Sequence, residues 1–131
     1  MKKLIIDFKN PTILLQNKFC FHDYYIIYFE FNSINKTLKI KVQDLDNQKR
    51  FANNKNEYAY KSLYEINLLN VSKIENKHEG NNGSFFETPN LLAELTFDSF
   101  PNKRIKLNFT LNGIIMHHFQ IIGDKAEINI F

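Results

Sequence analysis

The side chains best able to move a proton, hold a metal or attack a carbon in this chain are His22, His78, His117, His118 and Cys20. Two adjacencies stand out. His22 is followed directly by Asp23, a pairing that in a hydrolase orients an imidazole for general-base work, and His117 is followed by His118. On a β-strand, neighbouring side chains leave opposite faces, so neither pair offers both members to one site unless a bulge or turn intervenes. One histidine from each pair, with Asp23, would frame a metal or acid/base centre, but the compact spacings H-x-x-x-H and C-x-x-C do not occur. Cys20 lies between Phe19 and Phe21 and fits a buried, inert thiol. No serine sits in G-x-S-x-G, and GNNGS lacks the lysine and the strand-loop-helix setting of a phosphate cradle. The carboxylate pairs Asp44 with Asp46 and Glu75 with Glu79 fall in polar stretches, where solvated charge is the ordinary state. The expectation is therefore no catalytic residue, no metal and no cofactor. His22 and Asp23 then form a structural corner at a strand entry, Asp23 accepting backbone N–H groups while the His22 ring packs on Phe19 or Phe21. The competing expectation is a small metal-dependent or acid/base enzyme using His22, Asp23, His117 and His118.

The elements that must position these residues are mostly strands. From Asp23 to Asn32, alternation sends Tyr25, Ile27, Phe29 and Phe31 to a core face and Tyr24, Ile26, Tyr28 and Glu30 to a second, amphipathic face. After Ser33-Ile34-Asn35-Lys36 the chain returns through Leu38, Ile40 and Val42, with Lys39, Lys41 and Gln43 outward, which makes a hairpin with one wet face. Residues 44–56 read as a long polar loop. Tyr60 to Ser72 regains strand character, although a helix over 57–69 is also compatible with its spacing. Asn76 to Ser84 reads as a mobile loop, and Leu91 to Phe97 as a strand with Leu91, Ala93, Leu95 and Phe97 on one side. Arg104 to Leu111 alternates cleanly. Asn112-Gly113 is the two-residue hairpin signal, so Ile114 to Ile122 should return antiparallel, with Gly123-Asp124 closing a further hairpin onto Ala126 to Ile130. The fold class implied is mainly β, an antiparallel β-sandwich or strongly curled sheet of about seven to eight strands with little helix, in a single domain spanning 1–131.

Composition agrees and narrows the function classes. Thirteen Phe, six Tyr and no Trp in 131 residues favour strands, and only four Gly and three Pro leave turns to Asn, Asp and Ser. The formal net charge of +3 is dispersed along the chain, which argues against a nucleic-acid footprint. The run Leu4 to Ile6 is broken at once by Asp7 and Lys9, so neither a secretory nor a membrane segment is expected. A lone cysteine fits a reducing compartment, and the expected location is the cytoplasm.

Phe21-His22-Asp23 ahead of an alternating strand, Leu38-Lys39-Ile40-Lys41-Val42 after a short turn, and a closing strand from Ile122-Gly123-Asp124 to Ile130 carry a likeness. In these features the chain resembles small bacterial FHD-motif proteins, among them immunity protein 50-like members of polymorphic toxin systems. The resemblance implies a non-catalytic intracellular protein that binds and neutralises a cognate protein toxin. The chain departs from that pattern in having no Trp and a positive net charge. Its toxin would then present a neutral or acidic surface, or meet a local acidic patch such as Asp44, Asp46 and Glu57. The residues expected to contact a partner are Tyr24, Tyr28, Tyr58 and Tyr60 with the acidic residues Asp44, Asp46 and Glu57, because tyrosine offers wide contact at low entropic cost. A third expectation is a homo-oligomeric structural domain that pairs through an edge strand such as Ala126 to Phe131.

Overall fold

A computed structural model describes residues 2–13, 21–44, 63–79, 91–112 and 116–131. Nine strands lie among them: β1 (Lys2–Ile6), β2 (Tyr25–Asn32), β3 (Thr37–Gln43), β4 (Leu63–Leu69), β5 (Lys73–Glu79), β6 (Leu91–Phe100), β7 (Arg104–Asn112), β8 (Met116–Gly123) and β9 (Lys125–Ile130). All pairings are antiparallel, in the order β1-β9-β4-β3-β2-β6-β7-β8-β5. The fold is mainly β, as alternation implies.

The sheet has two halves, β1-β9-β4-β3-β2 and β6-β7-β8-β5, and they share one core. From the first come Leu38, Ile40, Val42, Tyr64, Ile66, Leu68, Ala126 and Ile128; from the second Leu92, Leu95, Phe97, Ile105, Leu107, Phe109 and Ile121. Each set is the inward half of a period-two pattern except in β6, where an irregularity between Leu92 and Glu94 buries Leu92 in place of the expected Leu91 and Ala93, so the sheet must curl to bury both. In β3, β7 and β9 the buried residues are those the sequence marks as inward.

The halves meet in two ways. On one side β2 and β6 share a single register pair, Tyr25 with Leu91. On the other, the chain itself passes between halves twice, at Asn70–Ser72 and at Gly123–Asp124, and the two crossings are bonded together. Asp124 N–H donates to Leu69 O at 2.9 Å, Ser72 N–H to Ile122 O at 2.9 Å, and Asn70 Nδ2 to Asp124 Oδ2 at 2.8 Å. Asn70 adopts φ 53°, a left-handed turn that asparagine tolerates. Gly123-Asp124 is thus no hairpin: β8 pairs with β7 and β5, and β9 with β1 and β4.

Further differences from the sequence reading have local causes. Residues 76–79, expected in a mobile loop, belong to β5, because a strand at the margin of a sheet needs backbone pairing with β8 but no apolar alternation. Leu111 pairs with His117, so three residues, 113–115, separate Asn112 from Met116, where a two-residue Asn112-Gly113 turn would have paired Leu111 with residue 114. Ala126 to Ile130 runs between β1 and β4 and has no free edge for another copy. Residues 63–69 are strand, and 57–62 lie outside the described residues.

Candidate functional site

The His22-Asp23 pair sits on a turn, not in a strand, and this changes its geometry. Phe21 and Asp23 both take left-handed φ values, 59° and 64°, and Tyr24 N–H closes the turn onto Phe21 O at 3.1 Å. The two side chains therefore converge where alternation would have parted them: His22 Nε2 lies 3.4 Å from Asp23 Oδ2. His22 Nδ1 lies 2.7 Å from Ala93 O, and since a carbonyl only accepts, Nδ1 carries the proton. Ala93 stands at an irregularity in β6, between Leu92 and Glu94, where the register with β7 slips. Asp23 N–H to Leu92 O (2.9 Å) and Leu92 N–H to Tyr24 O (2.8 Å) complete the tie.

The corner therefore fastens β2 to β6. The His22 side chain, expected to pack on Phe19 or Phe21, is well exposed and held by the Ala93 carbonyl, while Phe21 is buried in the core and Phe19 lies outside the described residues. One ring nitrogen of His22 is thus held by a backbone carbonyl, and the other faces Asp23 on the exposed side of the turn.

His117 and His118 follow strand alternation. His117 pairs with Leu111 on the core-facing row, and His118 pairs with Thr110 on the outer row, its Nδ1 3.1 Å from Thr110 Oγ1. They belong to β8, three places from β2 in the strand order. Among the described residues, no three His, Cys, Asp or Glu side chains gather as metal ligands.

The surface candidates divide sharply. Tyr24 is fully buried, edge-on to Phe21 and close to Tyr64, and Asp44 is also buried, so neither is a contact residue. Asp46, Glu57, Tyr58 and Tyr60 lie outside the described residues, as does Cys20. Tyr28 is exposed, with its hydroxyl donating to Glu30 and Lys41 Nζ 5.3 Å from its ring centroid. The bond to Glu30 raises the Tyr28 pKa above the usual phenol range.

A bulge in β2 explains this split and reveals what alternation misses. Ile26 pairs with Val42 but Tyr28 pairs with Lys41, so Ile27 is an extra residue and the facing of the strand inverts there. Tyr24 and Ile26 point inward before it; Phe29 and Phe31, opposite Ile40 and Leu38, do so after it. Yet Phe29 and Phe31 are not covered. Ile27, Tyr28, Phe29 and Phe31 retain 45%, 39%, 44% and 39% exposure, against zero for Leu38 and Ile40 beside them. The cause is the divergence of β2 from β6 after Tyr25, which leaves Ile26–Asn32 bonded on one side only among the described residues. Phe29 reaches across this gap to Phe119 (6.1 Å) and Phe109 (6.5 Å), which stack on each other at 4.6 Å.

Around Tyr28 the outer face of the first half is a lattice of mixed charge. Tyr28, Lys41, Glu65 and Asn129 form one cross-strand row, and Glu30, Lys39, Asn67 and Glu127 the next. Glu65 accepts from Asn67 Nδ2 at 3.0 Å and Asn129 Nδ2 at 3.4 Å. The Asn67 bond, then Lys39, Asn129 and Lys41, holds its carboxyl below the usual glutamate range. Because the folded pKa is depressed, the stabilisation is complete above the unfolded value and disappears as pH falls through the folded one. Glu65→Gln should therefore flatten the fall in stability below about pH 4.5, by about 1 kcal/mol or less for a solvent-screened group. Urea titrations at pH 7 and pH 3 would measure it, and an unchanged slope would remove Glu65 from the lattice's energetics.

No helix among the described residues is long and apolar enough to cross a membrane. Comparison of the chain with protein-family models, with curated proteins and with solved structures finds no match in any of the three, so the reading of this surface rests on its own residues.

Proposed function

We propose that this is a non-catalytic protein-binding domain whose contact surface is centred on β2, and that it acts as an immunity protein neutralising a cognate bacterial toxin. The observation that carries the binding reading is the run Ile27, Tyr28, Phe29, Phe31, four large side chains in five residues, all more than a third exposed. Scattered exposed apolar residues are ordinary; here Phe29 and Phe31 lie together on the inward face of a partly uncovered strand and Tyr28 on its outer face, so β2 offers apolar contact on both sides, with a charged rim beside Tyr28. Glu30, Lys39 and Lys41 provide that rim in both signs. It removes the need for an acidic patch built on Asp44, and favours a partner surface with an apolar pocket and mixed charge over one that is merely basic. The immunity role itself comes from the resemblance of Phe21-His22-Asp23 and its following strands, and it places the protein in the cytoplasm beside its toxin.

The test is protection. The gene immediately upstream is identified; a toxin with a C-terminal effector domain is expected there, and that domain is produced with this chain while growth and complex formation are measured. Protection is expected from the native chain and from His118→Ala, whereas Tyr28→Ala with Phe31→Ala should weaken binding by about 10–1,000-fold, the range for losing central aromatic anchors. A native chain that neither binds nor protects would sink the immunity role. Protection that survives the β2 changes but fails with His118→Ala would shift the reading to the acid/base alternative.

A further inference from the structure

β5 ends the second half of the sheet and, among the described residues, is bonded on one side only, to β8. Its sequence is Lys73-Ile74-Glu75-Asn76-Lys77-His78-Glu79. Read against itself in the opposite direction, with Asn76 opposite Asn76, the strand matches at every charged position. Lys73 meets Glu79, Glu75 meets Lys77, and Ile74 meets His78.

The match depends on that register. Antiparallel pairing centred on Glu75 would set Glu75 on Glu75 and Lys73 on Lys77, and centring on Lys77 would set Lys77 on Lys77. Parallel, in-register pairing would set every charge on its like. Faces agree as well. Ile74 pairs with buried Ile121, so Ile74 and Asn76 lie on the core-facing side, while Lys73, Glu75 and Lys77 lie on the outer side with Ile122, Gln120 and His118. A two-fold axis through Asn76 keeps odd residues opposite odd ones, so the outer faces of two copies stay continuous. Lys73, Ile74, Asn76 and Lys77 are exposed, and Glu75 is paired within its own strand with Lys73 at 2.8 Å.

We infer that β5 is a self-pairing edge: two copies of this chain join antiparallel through it, about a two-fold axis at Asn76, extending the β6-β7-β8-β5 half across both molecules. The occupant is a second copy because the complementarity is internal to one seven-residue segment. β1, the strand at the other end of the sheet, reads Lys-Lys-Leu-Ile-Ile and has no such pattern. Lysines on an exposed edge ordinarily repel added strands. Here the antiparallel register gives each one a carboxylate. Backbone bonds supply the attraction, and the charges select register and direction. This inference stands apart from the β2 surface, which belongs to the other half of the sheet.

Sedimentation equilibrium of the full chain at neutral pH and low salt tests it. The native chain should show a concentration-dependent species of twice 15.6 kDa. Glu75→Lys alone and Lys77→Glu alone each place like charges opposite at two positions, and each should weaken the dimer by at least about tenfold. An equimolar mixture of the two variants should recover a dimer with one copy of each, since both lysines of the Glu75→Lys copy then face both glutamates of the Lys77→Glu copy. Circular dichroism checks that both variants are folded, and the chain carrying both changes, which is again self-complementary, should dimerise like the native one. A monomeric native chain, dimers unaffected by the single changes, or a mixture that stays monomeric would each overturn the inference.

Discussion

Gly123→Ala is expected to destabilise the fold by about 1–3 kcal/mol, as overpacking does. A Cβ at this position would stand 2.8 Å from Leu68 Cγ, 2.8 Å from Leu69 O and 2.9 Å from Leu68 Cδ1. Leu68 is fully buried, so it has no open space to retreat into. Leu69 O cannot withdraw either without losing the N–H of Asp124, which it accepts at 2.9 Å. The clash thus falls on the point where the two chain crossings hold the halves together. Removing a glycine from the unfolded chain would normally stabilise by about 0.4–1 kcal/mol, and that gain must be overcome for the loss to show. Urea denaturation of the variant beside the native chain measures the balance. Unchanged stability would mean that the crossing is loose and that the halves do not depend on it.

Gly123 also shows where the sequence stops being legible. Period-two burial in β3, β7 and β9 is a local property of each strand, so Leu38, Ile40, Val42, Ile105, Leu107, Phe109, Ala126 and Ile128 can be assigned inward from the residues alone. Gly123-Asp124 looks like a hairpin because its residues suit a tight turn. What diverts the chain into the other half is a contact with Leu68 and Leu69, more than fifty residues away in sequence. The same holds for β5: Asn76, Lys77 and His78 resemble a loop, and only pairing with Phe119, His118 and His117 makes them a strand.

The candidate site was hidden by one inserted residue. Strict alternation through FCFHDYYIIYFEF puts Tyr25, Ile27, Phe29 and Phe31 inside and Tyr24 outside; the bulge at Ile27 keeps Phe29 and Phe31 facing inward but turns Tyr24 in as well, and the divergence from β6 leaves the strand half-covered. A signal was present, since the second face of this strand, Tyr24, Ile26 and Tyr28, is also apolar, and a strand apolar on both faces cannot reveal its own facing. The His22-Asp23 corner was legible as a strand entry, but not its bond to the Ala93 carbonyl, which depends on an irregularity in a strand about seventy residues on.

Phe21 carries the second large effect, and the order of two substitutions tests why. Its ring is fully buried, edge-on to Tyr64 at 4.9 Å and to Tyr24 at 5.7 Å, so Phe21→Ala should cost about 3–5 kcal/mol in lost burial and cavity. Its backbone, however, stands at φ 59°, a region that costs a side-chain-bearing residue about 1–2 kcal/mol. Alanine loses the ring and keeps that strain; glycine loses the ring and releases it. Glycine is ordinarily the worse replacement by about 0.5–1 kcal/mol, because its unfolded chain is freer. At position 21 the two effects oppose each other, and Phe21→Gly should be at least as stable as Phe21→Ala in paired urea titrations. The reverse order would show that the turn relaxes when the ring is gone. Phe21 O would then release Tyr24 N–H, and the corner that holds His22 to Ala93 would owe its shape to the buried ring alone.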